Sequence, residues 1–521
     1  LSTMLFSFSF FAFGNQQPNV VVVLVDNVPA QLIGAYGNRH VKTPNIDQLA
    51  DEGMTFDRAF ATSGVCSPTR ATLLTGLLPS QTGVHNALPS EVGVADWAAV
   101  GEFRSLPQTL ADAGYRTGLV GKYHLGVPDQ SQLGFDSWVT FASGHTSSFH
   151  DVVVIDNGKH YRTKKHITDF WTDRAVDFIK KQDKKQPFFL YLSYNGPYML
   201  PPLVLETAKN RHAEFYRKNP APMPRDPIHP FLQNFVRMAD ASSDGGGEFL
   251  KGWRAEEQGH SSRWAEVAWG MVRSLNNPEA MVHALSELTM VDDGVGRLMA
   301  TLKAQGLDKN TLVLFTSDQG AALGEHGLWG NSSASLPTAA YDENMHVPLI
   351  LRQPGRIAEG ARGNQLINQF DIAPTVLDYV GMADRVFANT PGLSFVPALQ
   401  GETVEGHKAV FFEYMRTRAI RTDRWKLVKR FPEGPDELYD LKSDPHEYQN
   451  LAGQAQVADI ERSLAEDLNV FFTKHANPRF DVWRGGSAKA VMEYGGRNQF
   501  YESYFPDWVE PSVQEVTQFR D

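Results

Sequence analysis

After its first residue, the run Asn19 to Val25 is entirely valine and leucine. A strand with one face in water alternates apolar and polar residues. A continuous apolar run instead marks a central strand of a parallel sheet, buried on both faces. Tyr115 to Val120, Pro187 to Tyr194 and Thr311 to Ser317 repeat the pattern, and His346 to Leu351 extends the same sheet. Between these runs, apolar residues at helical spacing predict helices over Thr43 to Gly53, Leu106 to Ala113, Asp169 to Lys181, Pro278 to Leu302 and Asp371 to Gly381. Strands alternating with helices define an α/β chain whose large, mostly parallel or mixed sheet is flanked by helices. From about Ala409 the pattern changes to short strands, Val410 to Tyr414, Ala419 to Arg421 and Trp425 to Val428, as in a smaller antiparallel sheet.

A chain of 521 residues accommodates one large domain and a smaller one. The boundaries expected are a catalytic α/β domain over 19–408, a small C-terminal α+β subdomain over 409–474 and an aromatic tail over 475–521. Residues 1–18 read as the remnant of a secretory signal or as a segment foreign to the native chain. Met4 to Phe13 is apolar but too short to span a bilayer, and no other stretch is long and apolar enough for a transmembrane helix. A periplasmic or secreted location is expected, with the cytoplasm as the alternative. Residues 199–276, which include Ser242-Ser243-Asp244-Gly245-Gly246-Gly247, read as an insertion supplying substrate-specific walls, or else as a disordered surface loop. The net charge of −11 leaves no basic footprint for nucleic acid. A lone cysteine forbids intrachain disulfides.

Chemistry gathers where the strands end. Asp26-Asn27 and Asp318-Gln319 close the first and fourth runs, and ligands of open α/β sheets collect at the carboxyl ends of strands. By itself an Asp-Asn pair there reads first as a turn or cap. Gly121-Lys122-Tyr123-His124-Leu125-Gly126 follows the second run. In Cys66-Ser67-Pro68-Thr69-Arg70, Pro68 suits the first turn of a helix running to Gly76. Cys66 is therefore expected just before a helix N-terminus, where free N–H groups favour an anion. Taken alone, Cys66 reads first as a small buried hydrophobe.

Cys66-Ser67-Pro68-Thr69-Arg70 with Ala71-Thr72-Leu73-Leu74-Thr75-Gly76 resembles the signature of the type I sulfatases, members of the alkaline phosphatase superfamily. Further blocks match in the family's order from about Pro18 to about Leu451: Asp26-Asn27, Thr43 to Asp47, Gly121 to Gly126, Asp318-Gln319-Gly320, Gly324 to Asn331, and Glu437 to Leu441 with Asp444-Pro445 and Asn450-Leu451. The resemblance implies a sulfuric ester hydrolase acting on aryl or carbohydrate sulfates. Cys66 would be converted to formylglycine by a maturation enzyme, and the aldehyde hydrate would attack sulfur through one hydroxyl and expel sulfate through the other. It implies catalytic roles for Cys66, Arg70, Lys122 and His124, and substrate contacts from Lys122, Tyr198, His326 and Asn331. The metal ligands implied are Asp26, Asn27, modified Cys66, Asp318 and Gln319. All-oxygen ligation favours calcium, with magnesium or manganese as alternatives. The Asp292-Asp293 pair matches a structural helix.

Three positions depart from the family pattern. Asn27 stands where a second aspartate is usual, Tyr198 where histidine is frequent, and Asn331 where lysine is common. The site thus loses a carboxylate along with cationic or proton-donating groups, leaving Tyr198 and His326 as candidate acids for the leaving group. A phosphonate monoester or phosphodiester hydrolase of the same superfamily is the alternative reading, and a non-catalytic binding protein a third. The aromatic tail is expected to pack across this subunit or join it to a second copy.

Overall fold

The computed structural model describes residues 17–88, 97–146, 148–233, 269–335, 337–402, 406–432 and 434–489. Its main sheet has ten strands. In chain order these are β1 (Asn19–Asp26), β2 (Met54–Phe56), β3 (Arg116–Gly121), β4 (Ser137–Phe141) and β5 (Val152–Asp156). They continue with β6 (Lys159–Thr163), β7 (Phe188–Pro197), β8 (Thr311–Ser317), β9 (Leu349–Arg352) and β10 (Ala361–Gly363). The spatial order is β10-β2-β9-β8-β1-β7-β3-β4-β5-β6. The central run β8-β1-β7-β3-β4 is parallel, and antiparallel pairings flank it at β9 and β5, so the sheet is mixed.

The side chains of β1 show why the sequence run is continuous. Val21, Val23 and Val25 enter one apolar cluster, while Val20, Val22 and Leu24 enter a second on the opposite face. The first face is covered by α1 (Pro44–Asp51), by the helix Ile167–Lys180 and by the long helix Pro278–Ala304. The second is covered by α2 (Cys66–Thr75), Leu106–Asp112 and Ile372–Tyr379. Asn19 ties the strand starts together, accepting from Phe188 N at 3.1 Å and donating to Thr311 Oγ1 at 3.3 Å.

The smaller C-terminal sheet is antiparallel, with Val410–Tyr414, Thr417–Arg421, Trp425–Arg430 and Glu437–Asp440 in sequential order. It gains a fourth strand beyond the three read from sequence. A helix over Ala458–His475, which the sequence reading passed over, packs on it through Leu464, Leu468 and Phe472. The sheet is joined to the large domain through Glu413, which accepts from Ser80 N at 2.7 Å and pairs with buried Arg418 at 2.7 Å. Of the aromatic tail, residues 476–489 are described. They touch both parts of the chain: Asn477 N bonds Ser80 O of the large domain at 3.0 Å, and Asp481 pairs with Arg418 of the C-terminal sheet at 2.7 Å. Residues 490–521, and the Ser242 to Gly247 stretch of the insertion, lie outside the described residues.

Asp292 is buried in the long helix and accepts from Asn45 N at 3.0 Å, Ile46 N at 2.8 Å and Asn45 Nδ2 at 2.7 Å. It closes the first turn of α1 from outside, which agrees with a structural part for this carboxylate. Asp292→Ala removes these charge-assisted bonds, and the expected cost is about 2 kcal/mol in urea unfolding. Turnover per folded molecule is expected to be retained.

Candidate active site

The registry of the parallel strands brings the predicted residues to one edge. Val25 pairs with Ser317, Asp26 with Pro197 and Gly121 with Ser193. Asp26, Lys122, Tyr198 and Asp318 therefore leave the sheet side by side. Gly121 makes the approach possible, because at its φ of +116° an added Cβ would lie 1.8 Å from Ser193 O. Lys122 N then bonds that same carbonyl at 2.8 Å.

Helix α2 enters this edge from the second face. It begins at Cys66, two residues earlier than the position of Pro68 suggests, with Val65 in an extended conformation as its cap. Cys66 is thus the first helical residue rather than the one before it. Thr69 secures the turn by donating to Val65 O at 2.9 Å and Cys66 O at 2.8 Å. Placing the turn here sends Arg70 into the sheet edge, where it is completely buried.

Each guanidinium nitrogen of Arg70 has a partner. Nε and Nη2 donate to Asp318 Oδ2 at 3.1 and 2.8 Å, and Nη2 also donates to Asp26 Oδ2 at 3.0 Å. Nη1 donates to Lys122 O at 2.8 Å and Ser193 Oγ at 2.6 Å. Burial works against its charge, but Asp318 and Asp26 outweigh that cost and raise its pKa. Burial, reinforced by Asp26, pushes the Asp318 carboxyl up to about 6 despite Arg70.

Lys122 is also buried, with Nζ 2.5 Å from Asp26 Oδ2 and 3.2 Å from Cys66 Sγ. Cys66 Sγ lies 3.6 Å from Asp26 Oδ1 and 3.4 Å from Gln319 Nε2. Burial, with Asp26 adding to it and Lys122 only partly offsetting, pushes the Cys66 thiol up to about 12. As a thiol it stays protonated at neutral pH, and a protonated thiol is a poor nucleophile. His124 donates from Nε2 to Leu88 O at 3.1 Å, which leaves the lone pair on Nδ1. That nitrogen is buried without a hydrogen-bond partner. Burial, then His145, Lys122 and Arg70, hold the His124 pKa well below the ordinary imidazole value.

Ligand atoms of Asp26, Cys66 and Asp318 all lie within 4.8 Å of one another, a buried group able to hold a metal ion. Asn27 joins them at a φ of +63°, its N–H bonding Asp318 Oδ1 at 3.0 Å and its Nδ2 bonding Asp26 Oδ1 at 2.8 Å. Asn27 Oδ1 accepts from Asn331 Nδ2 at 3.2 Å and from Gln319 Nε2. Gln319 thus turns its nitrogen toward Asn27 and Cys66, while its oxygen accepts from Thr69 at 3.3 Å. Its amide is oriented by these hydrogen bonds and not as an oxygen ligand would be.

Tyr198 lies beside the cluster, its ring centroid 5.1 Å from Lys122 Nζ. His326 departs from the reading that puts it with the sulfate-contacting residues. Its ring stacks on Tyr341 at 3.6 Å, its Nε2 is 3.5 Å from Glu343 Oε2, and its N–H bonds Asp226 at 2.7 Å. A φ of +54° turns it toward this neighbouring group of residues. Ser193 and His145 escaped the sequence reading: a serine within an apolar strand and a histidine in a Gly/Ser/Thr loop carry no spacing signal.

Comparisons with known proteins identify the family. The sulfatase family model matches residues 18–382, and a model described as N-sulphoglucosamine sulphohydrolase, C-terminal, matches residues 324–474. The chain belongs to the sulfatase family, and it is a sulfuric ester hydrolase with an alkaline phosphatase-like fold. It is 28% identical over 498 residues to the N-acetylglucosamine-6-O-sulfatase of Bacteroides thetaiotaomicron, covering 87% of this chain and 86% of that protein. It is 27% identical to the multifunctional alkaline phosphatase superfamily protein PehA of Trinickia caryophylli, covering 89% of this chain and 97% of that one. A solved structure described as a complex with its substrate D-glucosamine-2-N,6-O-disulfate superposes with a TM-score of 0.71 at 25% identity, covering 88% of this chain and 98% of the other. The family implies a divalent metal and a formylglycine derived from cysteine, and the buried Asp26, Cys66 and Asp318 group matches that requirement. Among the described residues no helix is long and apolar enough to cross a membrane.

Arg70→Ala would leave two buried carboxylates facing each other with Lys122 as the nearby cation. Removing one partner of a buried ion pair costs about 3–5 kcal/mol. The urea midpoint is expected to fall accordingly, far more than for a surface arginine such as Arg462, which is exposed on the C-terminal helix.

Proposed function

We propose that this chain hydrolyses sulfate esters of saccharides, with the 6-O-sulfate of an amino sugar as the substrate class to test first, using formylglycine made from Cys66 and a calcium ion. The observation that carries the reading is the buried approach of Lys122 to Cys66 Sγ, at 3.2 Å, between the strand-end carboxylates. The relatives named for 6-sulfated amino sugars support the substrate class. The carboxylates of Asp26 and Asp318 and the amide oxygen of Asn27 fit a hard cation, and the absence of imidazole among these donors favours calcium over zinc. For Gln319 to join them through its amide oxygen, the amide would have to turn away from the bonds its nitrogen makes to Asn27 and Cys66.

A cation held by these residues would supply charge to acidify a hydroxyl of the formylglycine hydrate and to neutralise sulfuryl oxygens. The chain's own residues supply the rest. Lys122 Nζ holds the transferring group against residue 66. Arg70 bonds both carboxylates and offsets their charge. His124 donates through Nε2 to Leu88 and so offers Nδ1 as a proton acceptor, and its lowered pKa keeps that site open at neutral pH. Such placed charges and proton acceptors generally supply most of the rate enhancement.

A phosphonate or phosphodiester substrate is favoured by one observation. Neutral amides at Asn27 and Asn331 meet directly at 3.2 Å, where the family commonly carries charge, and PehA is a multifunctional relative.

The test is mass spectrometry of the peptide containing Cys66, from a host with a formylglycine-generating enzyme, with rates on sulfate and phosphonate esters of one alcohol. Sulfur replaced by a carbonyl oxygen, with faster sulfate turnover that vanishes in Cys66→Ala, is the expected result. Faster phosphonate turnover would reassign the substrate, and an unmodified thiol in an active enzyme would refute the formylglycine reading. The pH profile gives a second check. A base must be neutral, so activity is lost as pH falls through its pKa. The acid limb of kcat is expected below the ordinary imidazole value of about 6.5, and His124→Ala should lower kcat by about 100-fold or more.

A further inference from the structure

With His326 turned toward Glu343, the departing alcohol needs another proton source, and a half-buried histidine outside every family block stands beside Tyr198. We propose that His145 and Tyr198 act as one unit that protonates the leaving oxygen, taking over the part of the histidine that Tyr198 replaces. The inference rests on the sulfatase reading above.

His145 lies in the loop between β4 and β5 and is held in place. Its Nδ1 is 3.0 Å from Thr146 O, its carbonyl accepts from Ser143 Oγ at 2.8 Å, and His124 N bonds the adjacent Gly144 O at 3.1 Å. A carbonyl only accepts, so Nδ1 carries a hydrogen and Nε2 is the atom that exchanges protons. Nε2 is 3.4 Å from Tyr198 Oη, with the two rings edge to face at 5.4 Å and 82°. Tyr198 is fixed at a φ of +42°, a costly conformation for an aromatic residue, and its ring lies over Lys122.

The proton moves as follows. As the bond from sulfur to the alcohol oxygen breaks, its electron pair stays on that oxygen, which takes the proton of Tyr198 Oη. The Nε2 proton of the His145 imidazolium passes to Oη, leaving tyrosine restored and imidazole neutral. His145, partly open to solvent, regains its proton from water. Among the groups facing it are His124, whose ring centroid is 4.3 Å away, and Tyr198, with Lys122 behind the tyrosine ring. A buried neutral His124 and a solvent-accessible His145 divide the base and acid parts of the cycle.

A good leaving group departs without a proton and a poor one does not, so the test is the leaving-group dependence of matured enzyme. For wild type, Tyr198→Phe, His145→Gln and the double variant, kcat/KM is measured on nitrophenyl sulfate and on a 6-sulfated amino sugar. In both single variants the ratio of sugar to nitrophenyl rates should fall by about 100-fold, the usual worth of general acid catalysis. The double variant should fall no further, and Tyr198→His should recover the ratio. The nitrophenyl rate in the same preparation reports folding and maturation. Equal losses on both substrates in either single variant would overturn the proposal, as would independent, multiplying losses in the double variant. Wild type inactive on every sulfate ester would overturn the functional reading and this inference with it.

Discussion

The site depends on one buried guanidinium. Arg70 reaches four neighbouring strands of the parallel sheet: Asp318 past β8, Asp26 on β1, Ser193 on β7 and Lys122 past β3. Taking this charge out of water is expensive, and it is tolerated because every nitrogen is bonded and two carboxylates face it. Lysine could not do the same, since its single ammonium lacks the planar fork that spans two carboxylates and two neutral acceptors. By satisfying both aspartates at once, Arg70 fixes the spacing of the strand ends. Everything that must meet a transferring group is positioned from those ends.

The backbone at that edge shows the cost of aiming side chains inward. Asn27, His124 and Tyr198 each follow a central strand and each has a positive φ, at +63°, +57° and +42°. Left-handed geometry is rare outside glycine, and it persists only where surrounding structure over-determines it. Here the determinants are visible: Asn27 is held by Asp318 and Asp26, His124 by Gly144 and Leu88, and Tyr198 by packing on Lys122 and His145. The C-terminal sheet contributes from behind, since Glu413 and residues 476–489 grip the segment after α2 that leads to Leu88, the partner of His124 Nε2.

Much of this was legible beforehand, for identifiable reasons. Six apolar residues in a row from Val20 to Val25, five of them β-branched, favour a strand covered on both sides, and the two separate clusters its side chains enter bear that out. Strand-end position brings Asp26, Lys122 and Asp318 together because parallel neighbours in register must end at one edge. The helix of Cys66 was placed two residues late, since proline tolerates the third helical position as well as the first. The Ala458–His475 helix was missed although Leu464, Leu468 and Phe472 repeat every fourth residue. The stacking of His326 on Tyr341 has no signal in the sequence, because a matching block fixes where a loop runs but not how its φ turns one side chain within it.

The central strands, the burial of their side chains and the identity of the charged residues at the strand ends were determined by the sequence itself, because periodicity and residue chemistry are local properties that survive in a linear string. Only the tertiary structure decided which groups pair. Ser193 beneath Arg70, Leu88 orienting the His124 ring, the Gln319 amide turned nitrogen-first and His145 against Tyr198 all join segments far apart in the chain. Such contacts are set by strand registry and loop closure, and hydrogen bonds falling off within a few tenths of an ångström leave no trace in sequence spacing.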